Sequence, residues 1–125
     1  MTATTAVRLQ ELVVRSADRH LVGPVSFDLP RGATLGLRGP SGSGKSTTLR
    51  ALVGLLPPGL DVRGSVEVLG CDVLASGADL ARLRARAVLV AQVPVVFPAS
   101  ILANAAFGLR HVARLSRPEL RRRTE

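Results

Sequence analysis

"GPSGSGKST", residues 39–47, holds the one lysine of a 125-residue chain that otherwise carries sixteen arginines. The pattern G-x-x-x-x-G-K-[ST] is met by Gly39, Gly44, Lys45 and Ser46. Three glycines in six residues admit backbone conformations closed to other side chains, so successive N–H groups can turn inward as a nest for phosphate oxygens. The stretch before it, "ATLGLR" (33–38), alternates as a strand does. The stretch after it, "KSTTLRALVGLL" (45–56), reads as a helix that ends near Gly54 and is stopped by Pro57 and Pro58. A helix beginning at Lys45 adds its positive N-terminal end to the nest.

Lysine suits this place because its ammonium is a compact charge on a flexible stem, able to bridge the β- and γ-phosphates of a nucleotide, where a planar guanidinium fork fits poorly. Pro40, Ser41, Gly42 and Ser43 complete the loop, Ser46 can offer its hydroxyl to Mg²⁺, and Thr47 can reach a phosphate from the first helical turn. The expected ligand is a nucleotide with Mg²⁺. The loop by itself leaves kinases, GTPases, helicases and transporters open.

The composition narrows the classes. With 46% hydrophobic residues but only Phe27, Phe97 and Phe107 as aromatics, the core must be built from Val, Leu and Ala, which favours layered α/β packing in one domain. The net charge of +8 invites a nucleic-acid reading. The arginines are scattered from Arg8 to Arg123 and no aromatic stacking set accompanies them, so no nucleic-acid partner is expected. A single cysteine, Cys71, leaves no internal disulfide and no cysteine cluster for a metal, and reads as a small buried or turn residue. The opening "MTATTAVRLQELVVR" lacks the pattern of a secretory signal, which makes the cytoplasm the default. The charge-free run 87–109 is long enough for a membrane span, but Gln92, Pro94, Pro98, Ser100 and Asn104 interrupt it. It reads instead as a buried strand, a proline-bearing loop and a short helix.

Around the loop, "VRLQELVVR" (7–15) alternates in part and "VSFDL" (25–29) cleanly, giving three strands before Gly39 when "ATLGLR" is counted. "RGSVEVLGCDV" (63–73) is a further strand that leaves at Gly70. Ser76 and Asp79 have capping-box spacing ahead of a short helix in "ADLARLRAR" (78–86). "AVLVAQ" (87–92) is a continuous apolar run, as expected of a strand buried on both faces of a parallel sheet. Ser100 can cap a helix through about Gly108, and Ser116 with Glu119 opens another in "SRPELRRR".

Taken in order, "VSFDLPRGATLGLRGPSGSGKSTTLRALVGLLPP", "GSVEVLGCDV" and "VLVAQVPVVFPASILANAAFG" resemble the ATP-binding cassette (ABC) family over almost the whole chain. The resemblance implies an α/β P-loop NTPase with a RecA-like core and an antiparallel β-subdomain. Residues 1–92 would form the β-subdomain and P-loop core, and 93–125 the glutamine loop and the start of the helical subdomain, where the chain ends. Gln92 falls where the family's Q-loop glutamine stands; its carbonyl oxygen suits Mg²⁺ or its water, and its amide can sense the γ-phosphate side. "FPASILANAAFGLR" with "LSRPELRRR" looks most like the ATP-binding subunits of bacterial phosphate importers. The partners so implied are transmembrane permease subunits, met by the region after Gln92, and a second ATP-binding subunit. The place so implied is the cytoplasmic face of the membrane.

Two departures from the family pattern stand out. Cassettes carry an aromatic residue upstream of the loop to stack on adenine; the corresponding "VVRSADRHL" (13–21) has none, and leaves Arg15, Arg19 or His20. The family's "LSGGQ" signature, Asp-Glu strand and switch histidine are also absent: "LSRPE" (115–119) lacks the glycine pair, Asp28 and Asp72 are misplaced for Mg²⁺, and His20 and His111 read as surface residues. The chain thus reads as the N-terminal half of a cassette. The expected activities are ATP binding coupled to import, nucleotide binding without turnover, or a cassette for another task such as DNA repair.

Overall fold

The computed structural model describes residues 5–112 and 116–124, and divides the chain into two compact units, 1–89 and 90–125. Leu115 of the "LSRPE" segment lies outside the described residues.

The first unit is built on a four-stranded antiparallel sheet of order β2-β1-β3-β4, from β1 (Thr5–Arg15), β2 (His20–Pro30), β3 (Asp61–Val68) and β4 (Cys71–Asp72). Partial alternation in β1 has a concrete cause. Leu9 and Leu12 are both fully buried although they are three residues apart, which an unbroken strand would send to opposite faces. Glu11 takes φ 49° and the register slips between Leu9 and Leu12, a β-bulge that returns both leucines to the inner face. The Glu11 N–H donates to Ser26 Oγ at 2.8 Å and the Ser26 hydroxyl donates to Glu11 Oε1 at 2.8 Å, which holds the bulge against β2. On the other side Gly64 of β3 comes so close to the Gln10 and Glu11 carbonyls that a Cβ would strike them.

Leu9, Leu12 and Val14 of β1 join Val22 of β2, Val66 and Val68 of β3, and Val73 in one core. Helix α1 (Lys45–Leu52) reaches it through Thr48 and Ala51, small side chains that let the helix lie close to the sheet. α1 ends as its glycine leads one to expect. Gly54 takes φ 63°, its N–H bonds the Ala51 carbonyl at 3.1 Å, and Leu55 N–H bonds the Arg50 carbonyl at 2.8 Å, a Schellman closure.

Helix α2 (Leu80–Arg84) adds Leu83 to the core. Its cap is Asp79, whose Oδ1 accepts from Arg82 N–H at 2.9 Å, so the box predicted from Ser76 is not the one used. Asp79 stands one residue before the helix, where a short carboxylate reaches the free N–H groups. The predicted strand 63–73 is likewise divided, because Leu69 and Gly70 both take positive φ and make a two-residue turn between β3 and β4.

Two expected strands are not formed. Residues 33–38 and 87–92 join no ladder among the described residues, and Val88 and Val90 are 85% and 87% exposed. A strand in a parallel sheet owes its order to hydrogen-bonded neighbours on both sides; without them even a Val-rich run stays a solvated extended chain.

The second unit contains α3 (Ile101–Val112) and α4 (Arg117–Thr124). Ser100 caps α3 as expected, its Oγ accepting from Ala103 N–H at 3.1 Å, and the helix runs past Gly108. Asn104 ties the preceding loop down: its Oδ1 accepts from Phe97 N–H at 2.8 Å while its amide donates to the Phe97 and Ala99 carbonyls. The Phe97 and Phe107 rings pack with centroids 4.5 Å apart. Among the described residues no helix is long and apolar enough to cross a membrane.

Candidate functional site

The loop from Gly39 to Gly44 leads directly into α1, whose first residue is Lys45. Gly44 is the residue before the helix and takes φ 87° and ψ 5°. That left-handed geometry favours glycine, and packing demands it as well. A Cβ at Gly44 would meet the carbonyl oxygen of Leu21 and come within 2.8 Å of Val22 Cγ2. The start of β2 therefore forms the floor beneath the loop. Sequence reasoning missed this backing, because nothing in the pattern of β2 says which loop it supports.

Beyond Gly44 the helix fixes its first turn with Thr48, which is buried and donates both its N–H (2.8 Å) and its hydroxyl (3.0 Å) to the Gly44 carbonyl. A threonine four residues after the last loop glycine is the sequence signal that could have found it. By contrast the N–H groups of Lys45, Ser46 and Thr47, which no helix bond can satisfy, receive no side-chain cap, and no acidic residue stands in the first turn. The positive end of α1 is open to an anion.

Lys45 closes the loop on itself. Its Nζ donates to the carbonyls of Gly39 (2.8 Å) and Pro40 (2.7 Å) and to Ser43 Oγ (3.3 Å). Ser43 N–H in turn bonds the Pro40 carbonyl at 3.3 Å. The ammonium is thus held by three oxygens of the same loop, as a compact charge with three donors can be. Gly39, Pro40, Ser41, Gly42, Ser43, Gly44, Lys45, Ser46 and Thr47 follow one another along the loop and the first turn of α1. The set fits a phosphate chain with a divalent cation: backbone donors and an ammonium for the anion, and the exposed Ser46 hydroxyl as an oxygen donor for the cation.

Beside the loop an apolar cavity of about 380 Å³ opens between β1, β2 and α1, lined by Phe27, Leu35, Leu37 and Leu49 with Lys45 and Ser46 at its rim. Gln92 belongs to the second unit and is exposed there. Arg15 and Arg19 sit at and between the ends of β1 and β2, and His20 Nε2 lies 2.8 Å from the Val22 carbonyl.

The two aspartates read as misplaced for Mg²⁺ are engaged elsewhere. Asp28 pairs with Arg8 at 3.2 Å, and Asp72 Oδ1 accepts from Leu74 N–H at 3.1 Å. Among the described residues no group of three or more His, Cys, Asp or Glu side chains is placed to hold a metal ion.

Comparison with known proteins agrees with this geometry. A family model described as ABC transporter matches residues 22–123. The phosphate import ATP-binding protein PstB 1 of Vibrio vulnificus (strain YJ016) is 37% identical over 108 residues, which cover 85% of this chain and 40% of that protein. The phosphate import ATP-binding protein PstB of Parasynechococcus marenigrum (strain WH8102) is 39% identical over 108 residues, with the same coverage of each chain. This chain therefore spans about 40% of the length of these curated relatives. The matched span contains the glycine loop, most of β2 and helices α1, α2 and α3, and the chain belongs to the ABC transporter family, with the P-loop NTPase class which that membership carries.

Proposed function

We propose that this chain supplies the nucleotide-binding loop of an ATP-hydrolysing subunit that powers import of inorganic phosphate. The observation that carries the reading is the open N-terminus of α1 at Lys45: three N–H groups without a side-chain cap, no acidic side chain in the turn, and an ammonium bonded to the loop's own Gly39 and Pro40 carbonyls. The likeness to two phosphate import ATP-binding proteins supports phosphate as the transported solute.

In this reading Gly39 to Thr47 hold the phosphates of ATP, Ser46 and Gln92 hold Mg²⁺, and Lys45 and Gln92 are the catalytic residues contributed by this chain. Mg²⁺ when bound supplies charge neutralisation on the phosphates. The loop's own part is positioning and electrostatic stabilisation by fixed donors that need no reorganisation. The residues after Gln92, from 93 to 104, meet transmembrane permease subunits, a second ATP-binding subunit completes the site, and the assembly lies at the cytoplasmic face of the membrane.

The finer fold is a RecA-like core next to the antiparallel β-subdomain, divided from the start of the helical subdomain near residue 92. The leucine-lined cavity beside Lys45 supports this, since it offers an apolar bed on which a central sheet can pack. The chain by itself binds nucleotide without turning it over. In support, Asp28 and Asp72 are committed to Arg8 and to the Leu74 N–H rather than to the loop.

Calorimetric titration of Mg·ATP into the purified chain, with Lys45→Ala as control and phosphate release followed in parallel, tests the reading. Loss of the ammonium should weaken binding at least about a hundredfold, the scale of removing one partner from a close charge pair. Equal affinity of the two proteins would remove the loop from its assigned role, and lysine-dependent release would show that the chain is an enzyme alone.

A further inference from the structure

A second concavity, of about 290 Å³, lies between the β3–β4 turn and α2, and none of its lining belongs to residues 39–47. Val68, Leu69 and Leu83 give it an apolar floor; Val68 and Leu83 are buried, and Leu69 packs against the core with its N–H bonded to the Ala6 carbonyl at 2.8 Å. Arg82 and Arg86 stand on its wall four residues apart, one helical turn, since Arg86 N–H bonds the Leu83 carbonyl at 2.9 Å and keeps the chain coiled past Ala85.

The charges around this cavity are unequal. Among the described residues neither the Arg82 nor the Arg86 guanidinium makes a hydrogen bond or ion pair, whereas Arg84, between them in sequence, is bound to the Val53 and Gly54 carbonyls. The one carboxylate in the lining, Asp79, accepts from the Arg82 N–H through Oδ1, so the lining sets two guanidiniums against one carboxylate. Glu67 and Asp72 face each other across the β3–β4 pair, and strand alternation puts them on the side opposite to Val68 and Cys71, which line the cavity. Two unpaired guanidiniums thus stand above an apolar floor.

We propose that this cavity binds a small amphiphilic organic anion: one phosphate or carboxylate group on an apolar body about the size of an aromatic ring. Guanidinium forks match either anionic group through paired N–H donors. The volume, room for about ten waters, exceeds what a bare inorganic anion fills and lies near the lower end of small-molecule pockets. An anion alone would leave the half-buried Leu69 wet, and a neutral ring would leave both cations unmatched.

Phenyl phosphate titrated into the ¹⁵N-labelled chain is the test, read from amide shifts. Saturable shifts are expected at Leu69, Gly70, Cys71 and Leu83. Binding should weaken at least tenfold in a protein carrying Arg82→Gln with Arg86→Gln and stay unchanged in Lys45→Ala, and inorganic phosphate should bind at least tenfold more weakly. Both arginines are exposed and without partners, so the double variant should keep its amide spectrum; Arg82→Lys with Arg86→Lys should recover part of the affinity. Shifts confined to residues 39–47, equal affinity of the glutamine double variant, or equal affinity for inorganic phosphate would each overturn the proposal.

Discussion

Gly44→Ala and Gly42→Ala separate two reasons for a glycine. Both positions take left-handed φ, 87° and 79°, which costs an alanine about 1–2 kcal/mol, partly offset by about 0.4–1 kcal/mol from the stiffer unfolded chain. At Gly42 nothing lies within 4 Å of the new Cβ, so that balance, a net loss between about 0 and 1.6 kcal/mol, should be all. At Gly44 the Cβ is driven into the Leu21 carbonyl and toward Val22, backbone and core that cannot swing away, and overpacking adds about 1–3 kcal/mol. Urea unfolding followed by circular dichroism reads the difference. With a slope of about 1–3 kcal/mol per molar, the Gly44→Ala midpoint should fall below that of Gly42→Ala by about 1 M. Equal midpoints would refute the packing of β2 under the loop.

Leu9→Ala, at a fully buried position beside the β1 bulge, should cost about 2–5 kcal/mol in the same unfolding measurement. Arg84→Ala leaves the Val53 and Gly54 carbonyls without the guanidinium that joins α2 to the end of α1, and should cost about 1–3 kcal/mol with the largest rise in amide exchange at Leu80–Arg84.

The phosphate-type loop, α1 and its end at Gly54, β1, β2 and the Ser100 cap were all legible in the chain, because each rests on local chemistry: glycines at fixed spacing, alternation, a hydroxyl at a helix start. What escaped was set by partners distant in sequence. The β1 bulge needs Ser26 and Gly64, the support of Gly44 needs Leu21 and Val22, and the cavity under Arg82 and Arg86 exists only once the Leu69–Gly70 turn meets α2. The runs 33–38 and 87–92 misled for the converse reason: alternation in the first and an unbroken apolar run in the second suit strands, but composition cannot supply the neighbours that make a sheet.

The uncovered valines also bear on how the molecule behaves in concentrated solution. Val88, Val90, Val93, Val95 and Val96 are each 69% exposed or more, in a run without charge, which is the make-up of segments that stack into intermolecular cross-β assemblies. Pro94 and Pro98 divide that run into short pieces, since a proline has no N–H to give to an added strand. These two residues act as gatekeepers of solubility. Replacing Pro94 by alanine would join 87–93 to 95–97 and lower the concentration at which the chain begins to aggregate.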